Sequence, residues 1–251
     1  MKQNKIIKVS NLGKNQDYRQ IWAQQEKLLE SIAQIKMEKR KLEKLQAVST
    51  ENHATYNQLL TPNYLLLVEH PHVYTLGKSG HEENMLANSQ KLQEIQATFV
   101  RTNRGGDITY HGPGQLVAYP VLDLANFKED INWYMRSLEE VIIRTIANYG
   151  LKGERSKGET GVWLDTGKPW ARKICALGVK ASRWITMHGL ALNVNSNLRY
   201  FEYIIPCGIT DKAVTSLQRE LDREVSMKEV HTYFLKYFAE VFEAELDTDL
   251  V

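Results

Sequence analysis

The stretch from Arg104 to Pro120 constrains this chain more than any other. It reads Arg-Gly-Gly-Asp-Ile-Thr-Tyr-His-Gly-Pro-Gly-Gln-Leu-Val-Ala-Tyr-Pro, and Gly105, Gly106, Gly112 and Gly114, four of the chain's 15 glycines, fall inside it. Glycine has no Cβ, so such a segment lets backbone approach another surface closely and tolerates positive φ. Pro113 fixes its own φ and stiffens the turn. The short run Ile108-Thr109-Tyr110 and the following Gln115 to Tyr119 read as strand. The expectation is a rigid, glycine-rich connection between strands, anchored by Arg104 and His111, forming a narrow pocket whose wall is main chain. An ordinary tight hairpin is the alternative.

The rest of the composition excludes more than it specifies. At 251 residues the chain has room for one large domain or two small ones. A net charge of +2 is too small to point to nucleic acid as a partner. The opening residues lack the apolar core of a signal peptide, and no run approaches membrane-spanning length. A cytoplasmic protein with no nucleic-acid or membrane partner is therefore expected. There are two cysteines, Cys175 and Cys207. In that compartment a structural disulfide is disfavoured, and a chemical role for one thiol becomes plausible.

Hydrophobic periodicity predicts a helix from Asp17 to Gln46, with Ile21, Leu28, Leu29, Ile32, Ile35, Leu42 and Leu45 on one face. The charge-dense run Lys36 to Lys44 reads as a solvated face or a protruding helix end, and residues 47 to 61 as a polar connector. Strands are expected at Tyr64–Glu69, Val73–Leu76, Thr98–Arg101, Thr160–Leu164, Arg172–Lys180 and Ile185–Val194. Helices are expected at Ser89–Gln96, Asp130–Tyr149, and from Ser226 to about Leu246. The last should bury Val230, Phe234, Phe238 and Val241, behind a Ser226-to-Glu229 capping box.

Two metal or phosphate motifs fail on inspection. His70-Pro71-His72 lacks the further ligands a zinc site needs. Gly77-Lys78-Ser79 resembles the end of a phosphate loop, but His72 stands where that loop requires glycine. The segment reads instead as a turn. Strict alternation along residues 172 to 180 puts Lys173, Cys175, Leu177 and Val179 on one face. A lysine among apolar strand residues is either a strand-end side chain reaching water or a partly desolvated amine suited to proton transfer. His188 followed by Gly189 suggests a close backbone approach, and a lone strand histidine is more often structural than catalytic. Cys207, between Pro206 and Gly208, sits on a turn, where a thiol is more accessible than in a strand.

Three segments taken together resemble a known family. They are Arg104 to Gln115, Lys173 to Gly178, and His188 to Asn193 followed by Pro206-Cys207-Gly208. In order and spacing they are similar to the octanoyl-acyl carrier protein:protein octanoyltransferases, the LipB family of lipoate biosynthesis. The likeness runs from about Tyr64 to Gly208, while the charged helix and connector are longer than the family usually has. The resemblance implies a single α+β domain over residues 1–251, with a mixed β-sheet flanked by helices. That is a biotin/lipoate protein ligase-like, class II synthetase-like fold. It implies transfer of an octanoyl group from octanoyl-acyl carrier protein to a lysine of the lipoyl domains of 2-oxoacid dehydrogenases and the glycine cleavage H protein. No cofactor is implied.

Carried onto these positions, the resemblance makes Cys207 the acyl-accepting nucleophile and Lys173 its cationic partner. It assigns the acyl pocket to Arg104, Gly105, Gly106, Asp107, Ile108, Thr109, Tyr110 and His111, to Ala176, Leu177 and Gly178, and to His188, Gly189 and Leu190. Cys175 is not expected to be catalytic. The alternatives are an ATP-dependent lipoate or biotin ligase on the same fold, a hydrolase pairing Cys207 with His111 or His188, and an acyl-binding scaffold without turnover.

Overall fold

Each long helix begins where a side chain can accept an orphan backbone N–H. The computed structural model describes residues 4–46, 59–205 and 213–248. Helix α1 (Tyr18–Gln46) starts behind Asp17, whose carboxylate accepts from Gln20 N at 3.0 Å. Helix α3 (Ile131–Ala147) is capped by Asp130, and α5 (Met227–Phe242) by Ser226, as the capping pattern requires. The last helix stops earlier than its apolar pattern suggests. Glu243 turns into the left-handed region, and residues Glu245–Asp247 form a strand, β11, so Phe242 rather than Val241 completes the buried face.

The strands are β1 (Ile6–Asn11), β2 (Asn63–Val68), β3 (Val73–Leu76), β4 (Thr98–Arg101), β5 (Ile108–His111), β6 (Gln115–Val121), β7 (Val162–Leu164), β8 (Arg172–Ser182), β9 (Ile185–Asn193), β10 (Ala213–Val214) and β11. Between β3 and β4 lies the short helix α2 (Ser89–Glu94), and after β10 comes α4 (Leu217–Leu221). One mixed sheet runs in the order β10-β8-β9-β6-β2-β1-β11, with β7 also paired to β8. A second sheet has the order β4-β3-β5. β8 and β9 are joined by a two-residue turn, Arg183-Trp184, with φ of 53° and 65°, the handedness that suits a tight hairpin.

The large sheet is buried on both faces. Leu65 and Leu67 of β2 face α3 and α5, while Leu66 and Val68 face α1. Period-two alternation with apolar residues on both sides is what a central strand between two layers requires. The small sheet packs, through Tyr74 and Tyr110, against the short 3-10 helix Leu198–Tyr203 and the Ile204 that follows it. The cleft between the two sheets, on the α1 side of the large one, holds the site.

The charged end of α1 is only partly solvated. Lys36 lies against Asp123, which also accepts from Thr61 Oγ1 at 2.8 Å, so the first lysine of the run is pinned to the body of the protein. Arg40, Lys41 and Lys44 conform to the solvated reading. Most of the connector, residues 47 to 58, lies outside the described residues.

Candidate active site

The glycine segment and the β8–β9 pair meet across one pocket. Its wall takes Arg104, Gly106, Asp107, Ile108, Thr109 and His111 from the loop and β5. It takes Lys173, Ala176, Leu177 and Gly178 from β8, and His188, Gly189 and Leu190 from β9. Three segments far apart in sequence are thus brought together.

Gly105 and Tyr110 stand behind this wall. Gly105 N donates to Val179 O at 2.8 Å and ties the loop to β8. Tyr110 turns into an aromatic stack with Tyr200, centroids 5.0 Å apart, and its hydroxyl meets His72 Nδ1 at 2.8 Å. Several wall residues carry no motif: Tyr18 from α1, Tyr119, Thr160, Phe201 and Val214. Only tertiary packing reveals them. Gln115 and Asn193 also line the wall; they end the segments Arg104 to Gln115 and His188 to Asn193 that carry the resemblance, but neither is among the site residues it assigns.

Glycine is required where backbones touch. A Cβ on Gly189 would lie 2.0 Å from Ala118 O, and one on Gly178 would lie 2.9 Å from Gly105 O. The turn at Gly77 packs the same way, since its Cβ would meet Gly106 O at 2.1 Å. These close approaches let the wall be main chain.

Lys173 reaches the pocket through an irregularity. Val162 pairs with Cys175 and Trp163 with Lys173, so Ile174 is an extra residue opposite the β7 step, a β-bulge. Beyond the bulge, Cys175, Leu177 and Val179 belong with the α3/α5 core. Lys173 joins Ala176 and Gly178 at the pocket instead. Strict alternation puts Lys173 with Cys175; the inserted residue reverses that. Its ammonium sits over the Trp163 ring, 4.5 Å from the centroid. Cys175 is fully buried, and burial pushes its thiol far up.

The polar groups at the inner end form a chain whose direction can be assigned from partners. Arg104 donates from Nη2 to Thr75 O at 2.5 Å and to Thr75 Oγ1 at 2.9 Å. The Thr75 hydroxyl therefore donates onward to His111 Nε2, at 3.4 Å. His111 Nδ1–H donates to Gln115 Oε1 at 3.2 Å, because Gln115 Nε2 is already donating to Tyr110 O and Asn193 Oδ1. Asn193 Nδ2 in turn donates to Thr215 O at 3.0 Å, and Thr215 N donates to Lys173 O at 2.9 Å. The chain runs from the glycine segment to the backbone of Lys173.

Both pocket histidines are held neutral. Burial, then neighbouring His70 and Arg104, keep His111 well below its ordinary value. Burial, then Arg104 and Lys180, pull His188 down to about 3. His188 has φ of 59°, strained for a residue with a Cβ. Gln25 of α1 accepts its amide at 2.8 Å, and Asn103 Oδ1 takes Nε2–H at 2.8 Å. Burial, partly opposed by Arg104, likewise raises the Tyr18 hydroxyl to about 12.

Cys207 lies outside the described residues. On one side of it Ile205 N donates to Asn84 O at 2.9 Å, and Asn84 Nδ2 donates to Asp107 of the pocket wall at 2.5 Å. On the other, Val214 pairs with Lys173 and lines the pocket.

Comparison with known proteins places this geometry. Residues 17–239 match the family model of the lipoyl protein ligase A/B catalytic domain. The chain is 54% identical to an octanoyltransferase of Christiangramia forsetii, over 97% of this chain and 98% of that one. It is 54% identical to an octanoyltransferase of Flavobacterium psychrophilum, over 96% and 98%. Among solved structures, a lipoate-protein ligase A bound with ATP superposes with a TM-score of 0.61 at 18% identity, covering 75% of this chain and 76% of that one. A bipartite lipoate protein ligase of Thermoplasma acidophilum gives 0.60 at 19% identity, covering 75% and 74%. The fold is thus the α+β lipoate protein ligase fold, and the chain belongs to the octanoyltransferases within the lipoyl protein ligase A/B catalytic family.

Proposed function

We propose that the octanoyl group is taken from octanoyl-acyl carrier protein, held as a thioester on Cys207, and passed to a lysine of a lipoyl domain, including those of 2-oxoacid dehydrogenases and the glycine cleavage H protein. The observation that supports this most is the bulge-directed entry of Lys173 into the pocket formed by the glycine segment and residues 176–178 and 188–190. The chain on both sides of residues 206–212 borders that pocket, which supports Cys207 as the group it serves.

Atoms and protons balance in both half-reactions. The Cys207 thiolate attacks the donor carbonyl, the C–S bond to the carrier breaks, and the Lys173 ammonium gives its proton to the departing thiolate. A free thiol has a pKa of about 8.5, and a neighbouring cation raises its thiolate fraction at neutral pH. The acceptor lysine amine then attacks the Cys207 thioester. Its proton passes to the now neutral Lys173 amine, an amide forms, and the Cys207 thiolate is restored. The donor is already activated, so the reaction needs no nucleotide. Burying the acyl chain at about 0.8 kcal/mol per methylene contributes several kcal/mol of binding.

The histidines argue against the hydrolase reading. Both ring nitrogens of His111 are engaged, one donating to Gln115 and one accepting from Thr75. His188 is pulled too low to accept a proton near neutrality. His111 therefore has no lone pair to offer, and the unengaged Nδ1 of His188 is too weakly basic to act as the general base. Lys173 is the pocket group suited to proton transfer.

Intact mass after mixing with octanoyl-acyl carrier protein tests the proposal. One octanoyl group should appear on the protein, be absent from Cys207→Ala, and move to an added apo lipoyl domain. An adduct that persists on Cys175 in Cys207→Ala would overturn the assignment of the nucleophile. Transfer that requires ATP and free octanoate, with indifference to the acyl carrier, would mean a ligase.

A further inference from the structure

We infer that Trp163 is the positioning residue for Lys173: its indole face is the seat that holds the ammonium at the pocket. Three observations converge on this side chain. The bulge at Ile174 puts Lys173 opposite Trp163 in the β7–β8 register and turns it to the pocket face. Gly161, with φ of 114°, clears the path. A Cβ there would press on Cys175 O at 2.5 Å and lie 3.4 Å from Lys173 Cε. The ammonium then stands 4.5 Å from the centre of the Trp163 ring.

The seat itself is fixed. Trp163 is 3% exposed. Its backbone is bonded in both directions to Glu154, N to O at 2.9 Å and O to N at 2.8 Å. Tryptophan presents the strongest π face to a cation, and the attraction grows where water is displaced. A lysine has a flexible four-carbon stem and a strongly hydrated head. Without such a seat its amine would spread over many rotamers at the pocket mouth. Trp163 thus restricts the amine that the transfer uses, a step that rests on the proposed role of Lys173.

The test does not depend on turnover alone. In the unaltered protein, NMR should find the Lys173 Cε protons shifted upfield by the indole ring current. In Trp163→Leu, labelling of Lys173 by an amine-reactive acetylating reagent, read by peptide mass, should be several-fold faster. kcat should fall about ten-fold with KM for the acyl donor unchanged. Trp163→Phe, which keeps a weaker π face, should lie between. An unshifted Lys173 Cε resonance in the wild-type chain overturns the seat whether or not Trp163→Leu folds, as does unchanged labelling in both variants. Altered labelling with unaltered kcat would support the seat while sinking the catalytic reading of Lys173.

Discussion

The pocket works because a few residues lack what most residues have. Gly189 lacks a Cβ where Ala118 O comes within 2.0 Å of the place one would occupy, and Pro120 Cδ within 2.8 Å. Both neighbours belong to β6, the strand paired with β9, so neither can give way cheaply. Gly189→Ala should therefore cost about 2–3 kcal/mol through overpacking. Gly150→Ala separates this from mere backbone preference. Gly150 has a positive φ, of 76°, which Gly189 lacks, but a Cβ there meets nothing within 4 Å, so the cost should be about 1 kcal/mol. Urea midpoints of the two variants measure the difference, and equal losses would show that crowding at Gly189 is relieved. The importance of Gly189 was legible in the sequence, because a glycine inside a strand, next to a histidine, marks a place where another backbone comes close. The direction of Lys173 was not. A bulge is set by how β7 registers on β8, and nothing in the string from Arg172 to Lys180 marks Ile174 as the extra residue.

At the scale of elements, α1 does two things that its apolar pattern only half announces. Ile21 and Ile32 bury the face that periodicity predicts, yet Gln25 on the same side is also buried, at 1% exposure. Its Oε1 accepts the amide of His188, the φ 59° residue that pairs with Val179 in the β8–β9 register. A helix side chain thereby satisfies a strand amide. Gln25→Leu keeps the volume and leaves that buried N–H without its acceptor, a loss of about 1–3 kcal/mol. Because His188 lines the pocket proposed to take the acyl chain, KM for the octanoyl donor should rise along with the drop in thermal midpoint. A lower midpoint with unchanged KM would confine Gln25 to stability. Sequence periodicity found the helix because apolar spacing is a local property. It missed Gln25 and Tyr18 as site-forming residues because their partners are 163 residues away in one case and in the opposite sheet in the other. The same limit hid the grip of Lys36 on Asp123, 87 residues distant, inside a run that reads as solvated charge.

Across the whole molecule, the fold keeps a group of buried histidines neutral: His111 and His188 line the cleft between the two sheets, and His70 packs behind it against His111. His70 is pulled to about 4, chiefly by burial, with its Nδ1 on Gln16 O and its Nε2 on Tyr119. His188 is pulled to about 3 and His111 lies well below its ordinary value, again through burial first. In the unfolded chain each protonates near 6.5. A depressed folded pKa means that the unfolded state binds more protons, so stability is complete above 6.5 and declines as pH falls from there. Each of the three should lose about 1 kcal/mol between pH 6.5 and 5.5. Carboxylates such as Glu154, held at about 2 by Thr166 and Lys152, act in the same direction but only below their ordinary value of 4.5. The two windows are separate, which makes the histidine contribution measurable alone. Urea unfolding at pH 7.5, 6.5 and 5.5 should give a stability that falls by only about 1 kcal/mol over the first interval, as the unfolded rings begin to protonate. It should drop by about 3 kcal/mol over the second, a large share of the 5–15 kcal/mol typical of folded proteins. His70→Gln should remove about a third of that drop. A profile that stays level to pH 5.5 would mean that these rings take up protons inside the folded protein, and so that water reaches them.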